Sequence, residues 1–234
     1  MRPLFLAVLA ALALPAAAQD APRPDPLVPQ GENLATPPTW SVRVDAPHTD
    51  HGDDAHHTPT VGADSTFDIR FVNMTPGWHI TTGPAGIFWH PASTAEGPYR
   101  AETKVYLFDP GERREAFGLI VGGADLDGDA PRYDYFVIRQ GGEFLVKRRD
   151  GDETTTLVPW TAHDAIVAYA PGDGAVANTL AVDVGEAEVA FSVNGAEVAR
   201  LPRGDVRTDG IVGLRVNHAL NLHVETFAVV PADR

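Results

Sequence analysis

The chain has 234 residues, no cysteine, 44% hydrophobic and 21% charged residues, and 32 Asp+Glu against 18 Lys+Arg, for a formal charge of −14. Such acidity repels phosphate backbones and argues against nucleic-acid binding, while the lack of Cys removes disulfide frameworks, thiolate zinc sites and cysteine nucleophiles. The length suits one large domain or two small ones, and the composition is that of a folded globular protein.

Met1-Arg2, the apolar run Leu4 to Leu14, Pro15 and the small residues Ala16-Ala17-Ala18 read as a secretory signal peptide, residues 1–18. The run is shorter than the roughly 20 residues that a membrane-spanning helix needs, so no membrane span is expected. Losing those 18 residues, of which only Arg2 is charged, would leave 216 residues and a formal charge of −15, in a secreted or periplasmic protein. Residues 19–39 carry Pro22, Pro24, Pro26, Pro29, Pro37 and Pro38, a composition that favours an extended leader. The domain is expected over 40–234, with a His/Asp-rich loop at 46–60 after a first strand, Trp40 to Asp45.

From Phe67 onward strand follows strand. Phe67–Val72, Tyr99–Phe108, Tyr133–Arg139, Phe144–Arg148, Leu180–Val184, Val189–Val193, Gly210–Val216 and Leu220–Val230 alternate apolar and polar residues or are continuously apolar. Gly141-Gly142, Asp150-Gly151 and Asn194-Gly195 supply tight hairpin turns. The Gly-Pro pair between Trp78–Gly83 and Gly86–Pro91 suggests two short paired strands, and a turn near Ala162–Ile166 is the one helix candidate. The pattern predicts an all-β chain, an antiparallel two-sheet β-sandwich whose large core replaces disulfide staples.

The hairpin Val189-Ala-Phe-Ser-Val-Asn-Gly-Ala-Glu-Val198, followed by Asp209-Gly-Ile-Val-Gly-Leu-Arg215 and a last strand, resembles the C-terminal half of concanavalin A-like sandwiches, the lectin/glucanase and laminin-G group. It looks most like the secreted bacterial branch that includes 3-keto-disaccharide hydrolase domains. The resemblance implies a jelly-roll fold, a carbohydrate or glycan ligand, and calcium in edge loops.

Glucanases of this fold place alternating carboxylates on one strand face, with acid and nucleophile about 5 Å apart. No strand here has that pattern. Glu186-Ala-Glu188 lies beside a turn, Glu102 and Glu115 stand alone, and Asp134 points away from Tyr133 and Tyr135; each reads as a solvated carboxylate. No Gly-x-Ser-x-Gly elbow exists for acyl transfer. Asp125, Asp127 and Asp129 form an acidic loop suggestive of Ca²⁺, although an EF-hand register would put Ala130 at its glycine and Phe136 at its bidentate Glu. His48, His51, His56 and His57, with nearby Asp50, Asp53 and Asp54, have the donor types of a zinc or copper site.

Sugar sites combine flat aromatic faces with planar polar groups. Trp78, His79, Trp89 and His90 lie close in sequence; Tyr133, Tyr135 and Arg139 share one strand face opposite Phe136 and Ile138; Arg215, Asn217 and His218 precede a reversal into Asn221 and His223. These residues are the expected ligand face of a non-catalytic glycan-binding protein. A hydrolase or lyase using a His/carboxylate pair on that face, and a structural or protein-interaction domain, are the alternatives. The acidity favours a neutral or cationic ligand over an anionic one. The oligomeric state is not legible in the sequence.

Overall fold

The computed structural model describes residues 34–45, 60–63 and 67–232. The signal segment, the start of the leader and the tract with His48, His51, His56 and His57 lie outside the described residues. Among the described residues the strands are β1 (Ser41–Val44), β2 (Val61–Gly62), β3 (Ile69–Asn73), β4 (Trp78–Thr82), β5 (Gly86–Ala95), β6 (Tyr99–Phe108), β7 (Ala116–Ala124), β8 (Arg132–Arg139), β9 (Glu143–Asp150), β10 (Glu153–Ala162), β11 (Ala175–Val184), β12 (Glu188–Val193), β13 (Ala196–Pro202), β14 (Gly210–Val216) and β15 (Asn221–Pro231). They form a seven-stranded sheet, β1-β5-β14-β7-β8-β9-β10, and an eight-stranded sheet, β13-β12-β11-β6-β15-β4-β3-β2. Pairing is antiparallel apart from the short parallel β2–β3 contact.

The expected turns join β8 to β9, β9 to β10 and β12 to β13. Asn194 and Gly195 both take positive φ, 52° and 82°, which is why this dipeptide closes a two-residue hairpin. Alternation then directs Phe88, Phe117, Leu119, Phe136 and Phe144 of one sheet into the same core as Phe71, Ile80, Leu107, Leu180, Phe191 and Leu222 of the other. Each such burial contributes roughly 1.5–3 kcal/mol.

Three local expectations are corrected. β4 and β5 do not pair, because the chain crosses from the eight-stranded to the seven-stranded sheet at Gly83-Pro84. The crossing is held by Thr82 N–H on the Leu220 carbonyl and Gly83 N–H on the Asp68 carbonyl. Residues 163–166 make only a turn, with Ile166 N–H on the His163 carbonyl, after the long strand β10. The leader's end is also bound to the domain: Asn73 donates to the Ala35 carbonyl, and Pro37 is buried.

Asp134 is the fourth correction. It is 0% exposed, inward-facing, and paired with Arg148 through two 2.8 Å bonds, Nε to Oδ1 and Nη2 to Oδ2. Oδ2 also accepts the Arg207 N–H, and Arg148 reaches the Asp205 carbonyl, so one buried pair ties the 3-10 turn Arg203–Asp205 to strands β8 and β9. A carboxylate without these donors would not tolerate that site. Asp134→Ala should cost about 3–5 kcal/mol, read from urea unfolding, because Arg148 is left unpaired.

Candidate functional site

The central strands of the seven-stranded sheet are buried on both faces. On the face turned away from the core, cross-strand registers place Arg43, Ile87, Arg215, Gly118, Val137 and Leu145 in one row, and Ser41, Trp89, Gly213, Ile120, Tyr135 and Lys147 in the next. Tyr133 lies opposite Arg149, and Arg139 lies opposite Glu143 and Ala116. Ile87, Trp89, Ile120, Leu126 and Tyr133 pack together as an outer apolar layer. A smaller cluster, Ala116, Val137 and Leu145, makes a floor on which Tyr135 and Trp160 pack as half-buried walls.

Five expected ligand residues therefore meet on one face: Trp89, Tyr133, Tyr135, Arg139 and Arg215, with Asn217 at its margin. Their accessibility differs. Trp89 and Tyr133 are 4% and 3% exposed, so neither presents a free stacking face. Gly213 explains the seating of Trp89: a Cβ there would lie 3.0 Å from the Trp89 Cβ and 2.4 Å from the Phe88 carbonyl oxygen. Tyr135 is half-buried beside Tyr133, ring centroids 5.8 Å apart, and burial pushes its hydroxyl up to about 12.

The polar groups of this face divide into paired and free. Arg215, with a side chain 12% exposed, holds Asp45 in a two-bond pair of 3.0 and 2.6 Å and donates from Nε to the Asn217 Oδ1. Burial opposes its charge, but Asp45 outweighs burial and raises its pKa. Arg139 binds Glu143 and lies over Trp160, 4.1 Å from the ring centroid. Arg114 holds the same Glu143 at 2.6 Å; burial acts against ionisation there, but the two guanidiniums prevail and keep the carboxyl below its usual range. By contrast, the Lys147 ammonium, the Tyr135 hydroxyl and the Trp160 Nε1–H have no side-chain partner among the described residues. These free donors surround the Val137–Leu145 floor.

The remaining expected residues go elsewhere. Trp78 packs on Trp40 at 4.9 Å, in an edge cluster that also joins Trp40 to Phe71 and Phe227. His90 bonds Thr39 Oγ1 through Nε2 and accepts the Ala92 N–H at Nδ1. His218 lies 3.8 Å from Glu115 in the β14–β15 turn. His79 and His223 face each other on the outer side of the eight-stranded sheet. The layer crossing at Gly83-Pro84 is what separates Trp78 and His79 from Trp89.

Asp125, Asp127 and Asp129 do not converge. Asp125 uses Oδ2 to accept the Ala130 N–H, while Asp127 and Asp129 are exposed. Arg43 donates to the Leu126 and Gly128 carbonyls, at 3.2 and 2.5 Å, so a guanidinium occupies the oxygen-rich side of the loop. No group of three or more His, Asp or Glu side chains among the described residues is arranged to hold a metal ion. Sequence reading missed Asp45, Glu143, Lys147 and Trp160 as neighbours of the site. The β-branched run Thr154-Thr-Thr-Leu-Val158 is the signal that Trp160 belongs to a strand.

No family model and no curated protein matches the chain. Solved structures of the same architecture do. The carbohydrate-binding module CBM66 from Bacillus subtilis aligns with a TM-score of 0.53 at 10% identity, covering 69% of this chain and 91% of its own. The endo-1,3-beta-glucanase from Streptomyces sioyaensis gives 0.54 at 11%, covering 88% and 94%, and the Ca²⁺-bound exoplasmic/lumenal domain of VIP36 gives 0.51 at 9%, covering 84% and 85%. The fold is thus a two-sheet antiparallel jelly-roll β-sandwich, the architecture these structures share.

Two outcomes follow from the packing. Trp89→Ala should lower stability by about 3–5 kcal/mol in urea unfolding, the cost of emptying a buried indole site, whereas Trp160→Ala at the half-exposed wall should cost under about 1.5 kcal/mol. His79 is 2% exposed with Nδ1 unpartnered; burial, then the adjacent His223, pushes it down to about 4. Native His79 stays neutral while the unfolded chain gains a proton below about 6.5, so stability is lost as pH falls from 6.5 to 4. Unfolding titrations of His79→Phe should lose about 3 kcal/mol less over that window than wild type.

Proposed function

We propose that this protein is a secreted, non-catalytic glycan-binding sandwich whose ligand lies against Tyr135 and Trp160, above the buried Ala116–Val137–Leu145 cluster. The observation that carries this reading is a pair of half-buried aromatic side chains, Tyr135 and Trp160, packed on a buried apolar cluster, with three hydrogen-bond donors that have no side-chain partner among the described residues. Pyranose rings present apolar C–H faces and radiating hydroxyls, which match such a surface. Arg139 covers one side of Trp160 and leaves donors beyond its bonds to Glu143. Solved sandwiches of this architecture whose names state carbohydrate binding or glucanase activity are in keeping with the reading. The N-terminal pattern of Arg2, Leu4–Leu14 and Ala16–Ala18 supports export.

The carboxylates on this face support binding over hydrolysis. Asp45 is clasped by Arg215, and Glu143 is held ionised by Arg139 and Arg114, opposite to the raised pKa that a general acid requires. On a glycan array, wild-type protein should retain a defined set of saccharides without releasing reducing sugar. Trp160→Ala should weaken that retention at least tenfold with its melting temperature little changed. Turnover, or retention indifferent to Trp160, would overturn the proposal.

A further inference from the structure

The formal charge of −14 belongs to the whole chain and not to this face. Around the floor stand Arg139, Lys147 and Arg114, with Glu143, which two of those cations already share, and Glu115, which lies 3.8 Å from His218. Farther along the same face Arg149 donates to the Gly151 carbonyl and pairs with the fully exposed Asp152 only at 3.7 Å. Arg43 and Arg215 are committed to the Leu126 and Gly128 carbonyls and to Asp45. The acids nearest the face are spent or remote from the floor. Asp150 pairs with Arg207 at the β9–β10 turn, and Asp125, Asp127 and Asp129 lie beyond Tyr133 at the other corner, beside Leu126.

Lys147 is the decisive group. It sits directly opposite Tyr135 in the β8–β9 register, two same-face positions from Glu143, about 13 Å along the strand. Its ammonium has no carboxylate partner among the described residues. An unneutralised cation beside half-buried aromatic rings is complementary to a ligand that brings its own negative charge.

We infer that the ligand is an acidic saccharide, a glycan bearing a carboxylate or sulfate that is met by Lys147 and Tyr135 while its ring lies against the half-buried Trp160. This inference rests on the glycan-binding reading and names its ligand class. It reverses the expectation, drawn from net charge alone, of a neutral or cationic ligand.

The test uses the full chain on an array of matched pairs: uronate, sialylated and sulfated glycans beside neutral parents of the same backbone. Wild-type protein should retain acidic members at least tenfold more strongly than their neutral parents. Lys147→Gln should abolish most of that preference, and 0.5 M NaCl should weaken it, while Trp160→Ala should weaken acidic and neutral members alike. Equal or stronger retention of neutral glycans, lost in Trp160→Ala, would overturn the acidic-ligand inference and keep the glycan-binding reading. Acidic preference unaltered in Lys147→Gln would overturn the assignment to this lysine. Retention of no glycan of either kind would overturn both. Melting temperatures equal to wild type for both variants exclude unfolding as the cause.

Discussion

Central strands that must bury both of their faces constrain everything else in this molecule. β7, Ala116 to Ala124, is covered on either side over most of its length: Phe117, Leu119 and Val121 join the core between the sheets, while Ala116 and Ile120 join the outer layers. A strand with no solvated face cannot use the usual in/out alternation to decide what is functional. The outer layer is therefore built in two parts. One end is sealed by Trp89, Tyr133 and Leu126, and the other is walled over Val137 and Leu145 by the half-buried Tyr135 and Trp160. The boundary between them is the boundary between residues that stabilise the sheet and residues free to meet a ligand.

That division also explains which parts of the molecule were legible in the sequence. Alternation and turn chemistry revealed β6, β8, β12 and β14 nearly to their ends, and the two-faced pattern of Tyr133, Tyr135 and Arg139 against Phe136 and Ile138 is the pattern of the structure. Proximity along the chain misled where the chain changed layers. Trp78 and Trp89 are eleven positions apart, yet the turn at Gly83-Pro84 puts them in different sheets, one against Trp40 and the other against Ile120. Asp134 was misread for a related reason. Its outward neighbours suggested an exposed setting, but the carboxylate's position is fixed by Arg148 and the Arg207 amide, partners remote enough in the chain that no local pattern announces them. Trp160 was overlooked because Pro159 and the bulges of β10 break the period on which strand recognition depends.

Charge followed the same logic of local context over bulk. A whole-chain sum describes solubility and long-range steering, while recognition depends on what each cation already holds. On the outward face most guanidiniums are spent on carbonyls or carboxylates that the fold itself supplies. Their role is architectural, joining β1 to β14 and strapping the 125–129 loop. What distinguishes the floor is not a larger number of charges but an incomplete set of partners.

The Arg43 clasp on the Leu126 and Gly128 carbonyls has a consequence of its own. A loop ordered by a bound ion depends on the ion's concentration in the surroundings and comes loose when a chelator competes. Here the positive charge is tethered to β1 and cannot be diluted, sequestered or exchanged. The corner that shelters Trp89 therefore owes its order to covalent connectivity and is independent of the salts around it.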